Sequence, residues 1–194
     1  MVTQVTNLQE CETGEEYFVS FRSYGGQVIF GSSALCLQMR ELMYYYQSVR
    51  RTIQGKIHLD PRVRIRAYCI MPDEYALLIK QDIDGGIEAF CNSINEAIGA
   101  YYGALFNITR RVFQDDPVVT LISYEAELLS AIRYINLMPA QGDIVRDGNI
   151  HDYPWCSMAE YGHSIEHPVV DMSLSKEYFR DAYHFMRFID SGKV

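Results

Sequence analysis

The chain has 194 residues, 48% hydrophobic and 22% charged, with a formal net charge of -8 and a pI near 5.1. That composition suits one folded domain with a sizeable core and excludes a disordered chain. The acidic balance argues against non-specific gripping of phosphate backbones, which needs clustered Lys and Arg, while leaving room for a local basic patch.

The cysteines at 11, 36, 69, 91 and 156 are odd in number and include no Cys-x-x-Cys pair. They suit reduced thiols in a cytoplasm, not a disulfide framework or a zinc site. The opening MVTQVTNLQECETGEE has neither a basic start nor an apolar run, so no signal peptide is expected. No apolar stretch of about 18 residues predicts a membrane span.

In chain order, a polar lead gives way to a strand over 17–22 (YFVSFR) and a loose turn through Ser23, Tyr24, Gly25 and Gly26. Val28, Ile29 and Phe30 form a short apolar clip. Ser32 and Ser33 offer an N-cap for a helix predicted to reach about Thr52, with Leu35, Met39, Leu42, Met43, Tyr46 and Val49 at helical spacing. Helix geometry fans Tyr44, Tyr45 and Tyr46 apart, which favours core packing over a stacking platform. Residues 55–62 read as a connector containing the turn signal Asp60-Pro61.

The rest is organised around residues 63–80, VRIRAYCIMPDEYALLIK, two apolar strands with a corner at Pro72. The first half alternates, with Val63, Ile65, Ala67 and Cys69 on one side and Arg64, Arg66, Tyr68 and Ile70 on the other. In the second half, Ala76 to Ile79 run continuously apolar, as in a central strand covered on both faces.

A second helix is predicted from Ile87 to about Asn107, after Gly85-Gly86, and a strand over 118–122 (VVTLI). Ser123 caps a third helix from Tyr124 to about Leu137, with Glu125 and Glu127 placed well for its dipole and Pro139 as its stop. Its core stripe is Leu128, Leu129, Ile132 and Ile135, with Tyr134 roughly opposite Ile132. Tyr153-Pro154-Trp155 reads as an aromatic plug over a core edge, and the tail from Ser173 as one amphipathic helix with Leu174, Tyr178, Tyr183, Phe185, Met186 and Ile189 its apolar residues. This order predicts an α+β fold: a ferredoxin-like antiparallel sheet with packed helices, plus a C-terminal helix. The expected divisions are a lead over 1–15, the ferredoxin-like domain over 16–161 and a helical tail over 162–194.

Four ordered blocks carry a resemblance. They are EYFVSFRSYGGQVIF from Glu16, AYCIMPDEYALL from Ala67, RYINLMPAQG from Arg133 and DYPWCS from Asp152, with Phe106-Asn107 closing a long helix between them. They resemble the single-tyrosine HUH transposases, above all the branch called REP-associated tyrosine transposases. In that family the second block reads Ala-Tyr-Cys-Leu-Met-Pro-Asn-His-x-His-Leu-Leu, the third Arg-Tyr-Ile-x-x-Asn-Pro-Val-Arg-Ala and the fourth Asp-Tyr-Pro-Trp-Ser-Ser. The resemblance spans about Glu16 to Tyr161 and implies an HUH-type ferredoxin-like fold.

It also implies a site. In the family two histidines and a polar residue hold a divalent metal, and a tyrosine attacks a DNA phosphodiester. A phenol is a weak nucleophile at neutral pH, so the metal must polarise the phosphate and align it. The histidine positions fall here on Glu74 and Ala76, the nucleophile on Tyr134 and the supporting asparagine on Met138. A lone carboxylate with alanine and thioether partners is no chelating set for a hard cation. The family's basic segment before its last strand reads QDDPV here, and Asp115 and Asp116 would repel a phosphate backbone.

The expectation is a transposase-like DNA-binding domain, related to single-strand DNA endonucleases and catalytically inactive because the metal-ligand histidines are replaced. Its partner is single-stranded or hairpin DNA, touched weakly by Arg110, Arg111 and Arg133. No cofactor is expected, Mg or Mn entering only were the Glu74 site functional. The alternative is a domesticated scaffold for protein interaction or self-association as a homodimer, favoured by the charge of -8 and the tyrosine-rich surface. Neither reading involves a membrane. His163 and His167 are four apart but flanked by Gly162 and Pro168, so a loop outweighs a metal site, and His58, His151 and His184 are single histidines.

Overall fold

The computed structural model describes residues 3–5, 7–53, 56–145, 150–162 and 168–191. Strands β1 (Thr3–Val5), β2 (Glu16–Arg22), β5 (Val63–Ile70), β6 (Glu74–Gln81) and β7 (Val118–Ile122) form one sheet in the order β1-β7-β2-β6-β5, antiparallel throughout. Helices α1 (Ser33–Tyr46) and α2 (Gly86–Phe106) pack on one face, and α3 (Glu125–Gln141) lies on the other, against β5 and β6. The path β2-α1-β5-β6-α2-β7 is the ferredoxin-like double β-α-β, with β1 added beside β7. No helix among the described residues is long and apolar enough to cross a membrane.

The central strands form as their patterns dictate. Leu77, Leu78 and Ile79 of β6 are fully buried between β2 and β5. In β2, Tyr17, Val19 and Phe21 face α1 and α2, while Phe18, Ser20 and Arg22 face the α3 side. Ser32 caps α1, its side chain accepting from Leu35 N, and Asn107 ends α2 at φ 54° in the left-handed region that asparagine tolerates.

Several expectations are corrected. Ser123 does not cap α3, whose N-cap is Tyr124 without a side-chain bond, and Tyr44 and Tyr45 stand exposed on α1 instead of packing in the core. The first helix stops at Tyr46, and Ser48–Ile53 (β3) pairs with Lys56–Pro61 (β4) as a separate antiparallel ribbon. Val49, Thr52 and Ile53 are β-branched and favour a strand, and Arg62 and Val63 N both donate to Gln47 O, clamping the ribbon's base.

Strict alternation also fails in β5. Ile65 pairs with Ile79 but Ala67 with Leu78, so Arg66 is an extra residue. Val63, Ile65, Tyr68 and Ile70 therefore face α1 and α2, while Arg64, Ala67 and Cys69 face α3. Arg66 is buried in ion pairs with Glu16 (3.2 Å) and Asp171 (2.7 Å).

Pro139 lies inside α3 rather than ending it. It forfeits one hydrogen bond in the last turn, where Gly142 N bonds Met138 O and Ile144 N bonds Pro139 O.

The tail is two helices, α5 (Ser173–Tyr178) and α6 (Ala182–Asp190), because Asp181 caps α6 by accepting from His184 N. Phe185 and Ile189 are buried there, while Tyr183 is exposed.

The outer edge of β5 is covered by the returning chain. Ile70 N donates to Trp155 O, Ser157 N to Tyr68 O and Asp171 N to Ile65 O. Helix α4 (Met158–Gly162) carries Glu160 beneath this edge, where the carboxylate meets Arg40, Tyr68 and Val170 N, each at 2.9 Å.

Candidate functional site

The corner between β5 and β6 is held by backbone bonds. Ile29 and Phe30 N both donate to Pro72 O, Ser23 N donates to Asp73 O, and Met71 N to Glu74 O. The apolar clip at 28–30 is thus the brace that fixes the corner. Glu74 opens β6 directly opposite Arg22, with Arg22 Nε 2.9 Å from a Glu74 oxygen. The guanidinium is 71% exposed and the carboxylate only 17%, so the pair closes over the carboxylate from the solvent side. The hydrogen bond and charge of Glu74 raise the Arg22 pKa, with lesser contributions from Asp73 and the Tyr134 phenol.

Tyr134 projects from α3 over the same sheet face. Its ring is 48% exposed and meets Phe18 edge-on at 5.9 Å. Ala76, fully buried, is flanked across the ladder by Ser20 and Cys69. Met138, one turn beyond Tyr134, is buried where α3 ends against the corner, and a Cβ on Gly142 would come within 2.8 Å of the Met71 methyl. The fold thus brings Glu74, Ala76, Tyr134 and Met138 to one face at one end of the sheet. Asn136, two residues past Tyr134, is taken up in packing: its amide donates to Ile132 O and its oxygen accepts from Ser157.

These side chains do not fit a divalent metal. Ala76 offers no lone pair, Met138 offers a soft thioether, and the Glu74 carboxylate is already engaged by a guanidinium. What the face presents is a mostly exposed guanidinium, with four N–H groups left after its Nε–H is given to Glu74, an exposed phenol and a phenyl ring beneath it. Such groups stack on a base and bond a phosphate oxygen.

The other predicted cations are dispersed. Arg133 is turned to α6, bonding Phe188 O and Ser191 Oγ at 3.1 Å each, with its guanidinium 4.1 Å from the Phe188 ring centroid. Arg111 pairs with Asp115, whose carboxyl is held below its usual range by the Tyr24 hydroxyl and by Arg111. Arg110 donates to Gln27. Both stand at a cleft of about 620 Å³ between α2 and the link to β7. His163 and His167 lie outside the described residues, as does the side chain of His58; His151 bonds Asp190, and His184 lies 2.7 Å from Asp181.

Sequence reasoning missed the basic residues of the β3–β4 ribbon. Extending the helix to Thr52 and reading a connector after it hid them, although β-branched residues on both sides of Gln54-Gly55 marked a hairpin.

Fold and site together give a ferredoxin-like domain with a tyrosine-bearing helix laid over the β5–β6 corner. Among solved structures the chain is similar to one described as the REP-associated tyrosine transposase bound to a REP hairpin. That likeness covers 77% of this chain and 80% of the other, with a TM-score of 0.56 and 11% sequence identity. No family model and no curated protein matches the sequence.

Proposed function

We propose that this chain is a transposase-like protein that binds hairpin or single-stranded DNA without cutting it, in the cytoplasm. The observation that carries the reading is the placement of Tyr134, Phe18 and Arg22 on one open sheet face, in a fold shared with a transposase bound to a hairpin. Tyr134 stands where the resemblance places a nucleophile, but among the described residues Ala76 and the Arg22-bound Glu74 offer no metal site beside it to polarise a scissile phosphate. Arg22, 71% exposed though paired through Nε with Glu74, instead offers its outward N–H groups to a phosphate oxygen, and the exposed phenol supplies a stacking surface. The five cysteines, all free and buried, suit a reducing compartment.

The test incubates labelled hairpin DNA carrying a single-stranded flank with the protein and Mn²⁺ or Mg²⁺. The expected result is salt-dependent anisotropy binding, weakened by Arg22→Ala, with no covalent adduct on a denaturing gel. An adduct that disappears in Tyr134→Phe would overturn the inactive reading, and absence of binding at low salt would overturn the DNA-binding one.

A second reading rests on a separate observation. Leu37, Tyr44 and Tyr45 are exposed on the outer face of α1, beside a groove of about 500 Å³ that reaches Val169. This face suits a scaffold that self-associates, and light scattering across a concentration series tests it: a constant monomer mass removes the homodimer.

A further inference from the structure

The β3–β4 ribbon departs from the electrostatics of the rest of the molecule. Residues 48–62 hold Arg50, Arg51, Lys56 and Arg62 against a single acid, Asp60, a net +3, so the other residues of this -8 chain carry -11. The ribbon is tied to the body at its base through Gln47 O. Arg50 is exposed, as is Leu59 at 68%, and the two are cross-strand partners. The register sets Arg51 opposite His58 and Ile53 opposite Lys56, so positions 51, 56 and 58 share one face of the ribbon while Arg50 and Leu59 stand on the other, and each face carries a cation position. Arg64 and Arg66, just beyond, are different in kind: Asp82, Asp171 and Glu16 neutralise them against the body.

An isolated two-stranded hairpin is marginally stable alone, and one carrying like charges is strained further by self-repulsion. A polyanion relieves that repulsion, and a two-stranded ribbon has the width to lie in or along a duplex groove. We infer that the β3–β4 ribbon is a second nucleic-acid contact, a basic arm that grips the phosphates of a duplex stem through Arg50, Arg51 and Lys56. The inference rests on the DNA-binding reading above and adds the part of the ligand it left unassigned. The ribbon's base and the Pro72 corner lie at opposite ends of β5, about 26 Å apart for eight residues at about 3.3 Å each. That span is roughly seven to eight base pairs of duplex. The sheet face therefore takes the unpaired strand while the arm holds the stem.

The experiment compares the full chain with Arg50→Ala/Arg51→Ala/Lys56→Ala and with Arg50→Lys/Arg51→Lys, each checked by thermal melting. Three probes are used: a DNA hairpin with a single-stranded flank, the stemless strand, and phosphatidylserine vesicles. The triple alanine variant is expected to bind the hairpin at least tenfold more weakly at about 0.1 M salt. Its slope of log affinity against log salt should shrink by about 2 to 3, near 0.9 for each phosphate no longer neutralised. Stemless-strand binding should be unchanged, and the lysine variant should keep the wild-type slope. Unchanged hairpin affinity in the triple variant, equal weakening on both DNAs, no DNA binding at all, or weakening confined to vesicles would each overturn the inference. A wild-type chain that ignores the stemless strand yet holds the hairpin through the arm would instead sink the sheet-face reading and leave the arm standing.

Discussion

Arg40→Met removes the cation from the most deeply buried carboxylate in the described structure. Glu160 is 1% exposed at its side chain and joins four parts of the chain: Arg40 of α1, Tyr68 of β5, α4 itself and Val170 of the returning segment. Without Arg40 the carboxylate keeps two neutral donors and loses its countercharge. Breaking a buried pair costs about 3–5 kcal/mol, and because Arg40 is 25% exposed the lower end applies, about 3 kcal/mol. For a chain of this size that is a fall of about 6–12 °C in Tm, out of a total stability of order 10 kcal/mol. Urea melts monitored by circular dichroism read the difference. The double variant Arg40→Met/Glu160→Gln removes the stranded charge while keeping the shape, and is expected to recover at least about 1 kcal/mol over the single variant. An Arg40→Met protein within about 1 kcal/mol of wild type, or a double variant no better than the single, would refute the view that this carboxylate pins the returning chain to the sheet edge.

Two other perturbations address the site and the core. Glu74→His/Ala76→His/Met138→Asn restores three donors at the corner and is expected to raise Mn²⁺ affinity at least tenfold by calorimetry. Arg22→Ala added to it should raise affinity again, since a guanidinium then no longer faces the ion; the enlarged side chain at position 76 should cost about 1–3 kcal/mol of stability by overpacking. Unchanged metal affinity would show that these positions do not converge. Burial pushes the Cys11 and Cys36 thiols up to about 11 and the Cys156 thiol to about 12. Unfolded thiols titrate near 8.5, so above that pH the folded chain holds more protons than the unfolded one. The stability these thiols contribute is complete below about pH 8.5 and is lost as the pH climbs toward 11. Urea midpoints should fall between pH 8 and pH 10, and a flat profile would contradict the burial.

Legibility followed the strength of local pattern. The continuous apolar run of β6, the VVTLI strand and the long stripe of α2 were plain because burial demands them, and the ferredoxin-like order followed from their sequence. The motif resemblance pointed to the Pro72 corner and to Glu74, Ala76, Tyr134 and Met138, and the fold brings these positions to one face. Long-range pairings were not legible. The extra residue Arg66 reverses the faces of β5 because Glu16 and Asp171 draw it inward, and neither partner is near it in sequence. The pairing of Arg22 with Glu74 spans 52 residues, and the capture of Arg133 by α6 spans 55. The ribbon was hidden for a local reason: Leu42, Tyr46 and Val49 continue a helical spacing past the point where β-branched residues end the helix.

The most direct test of a metal-free DNA-binding site is an anisotropy titration of labelled hairpin DNA in EDTA against the same titration in Mn²⁺. Equal affinity in the two buffers is the predicted result, because none of the contacts proposed for the sheet face or the ribbon needs a metal ion. Affinity that appears only with Mn²⁺, or none in either buffer, would contradict a metal-free site.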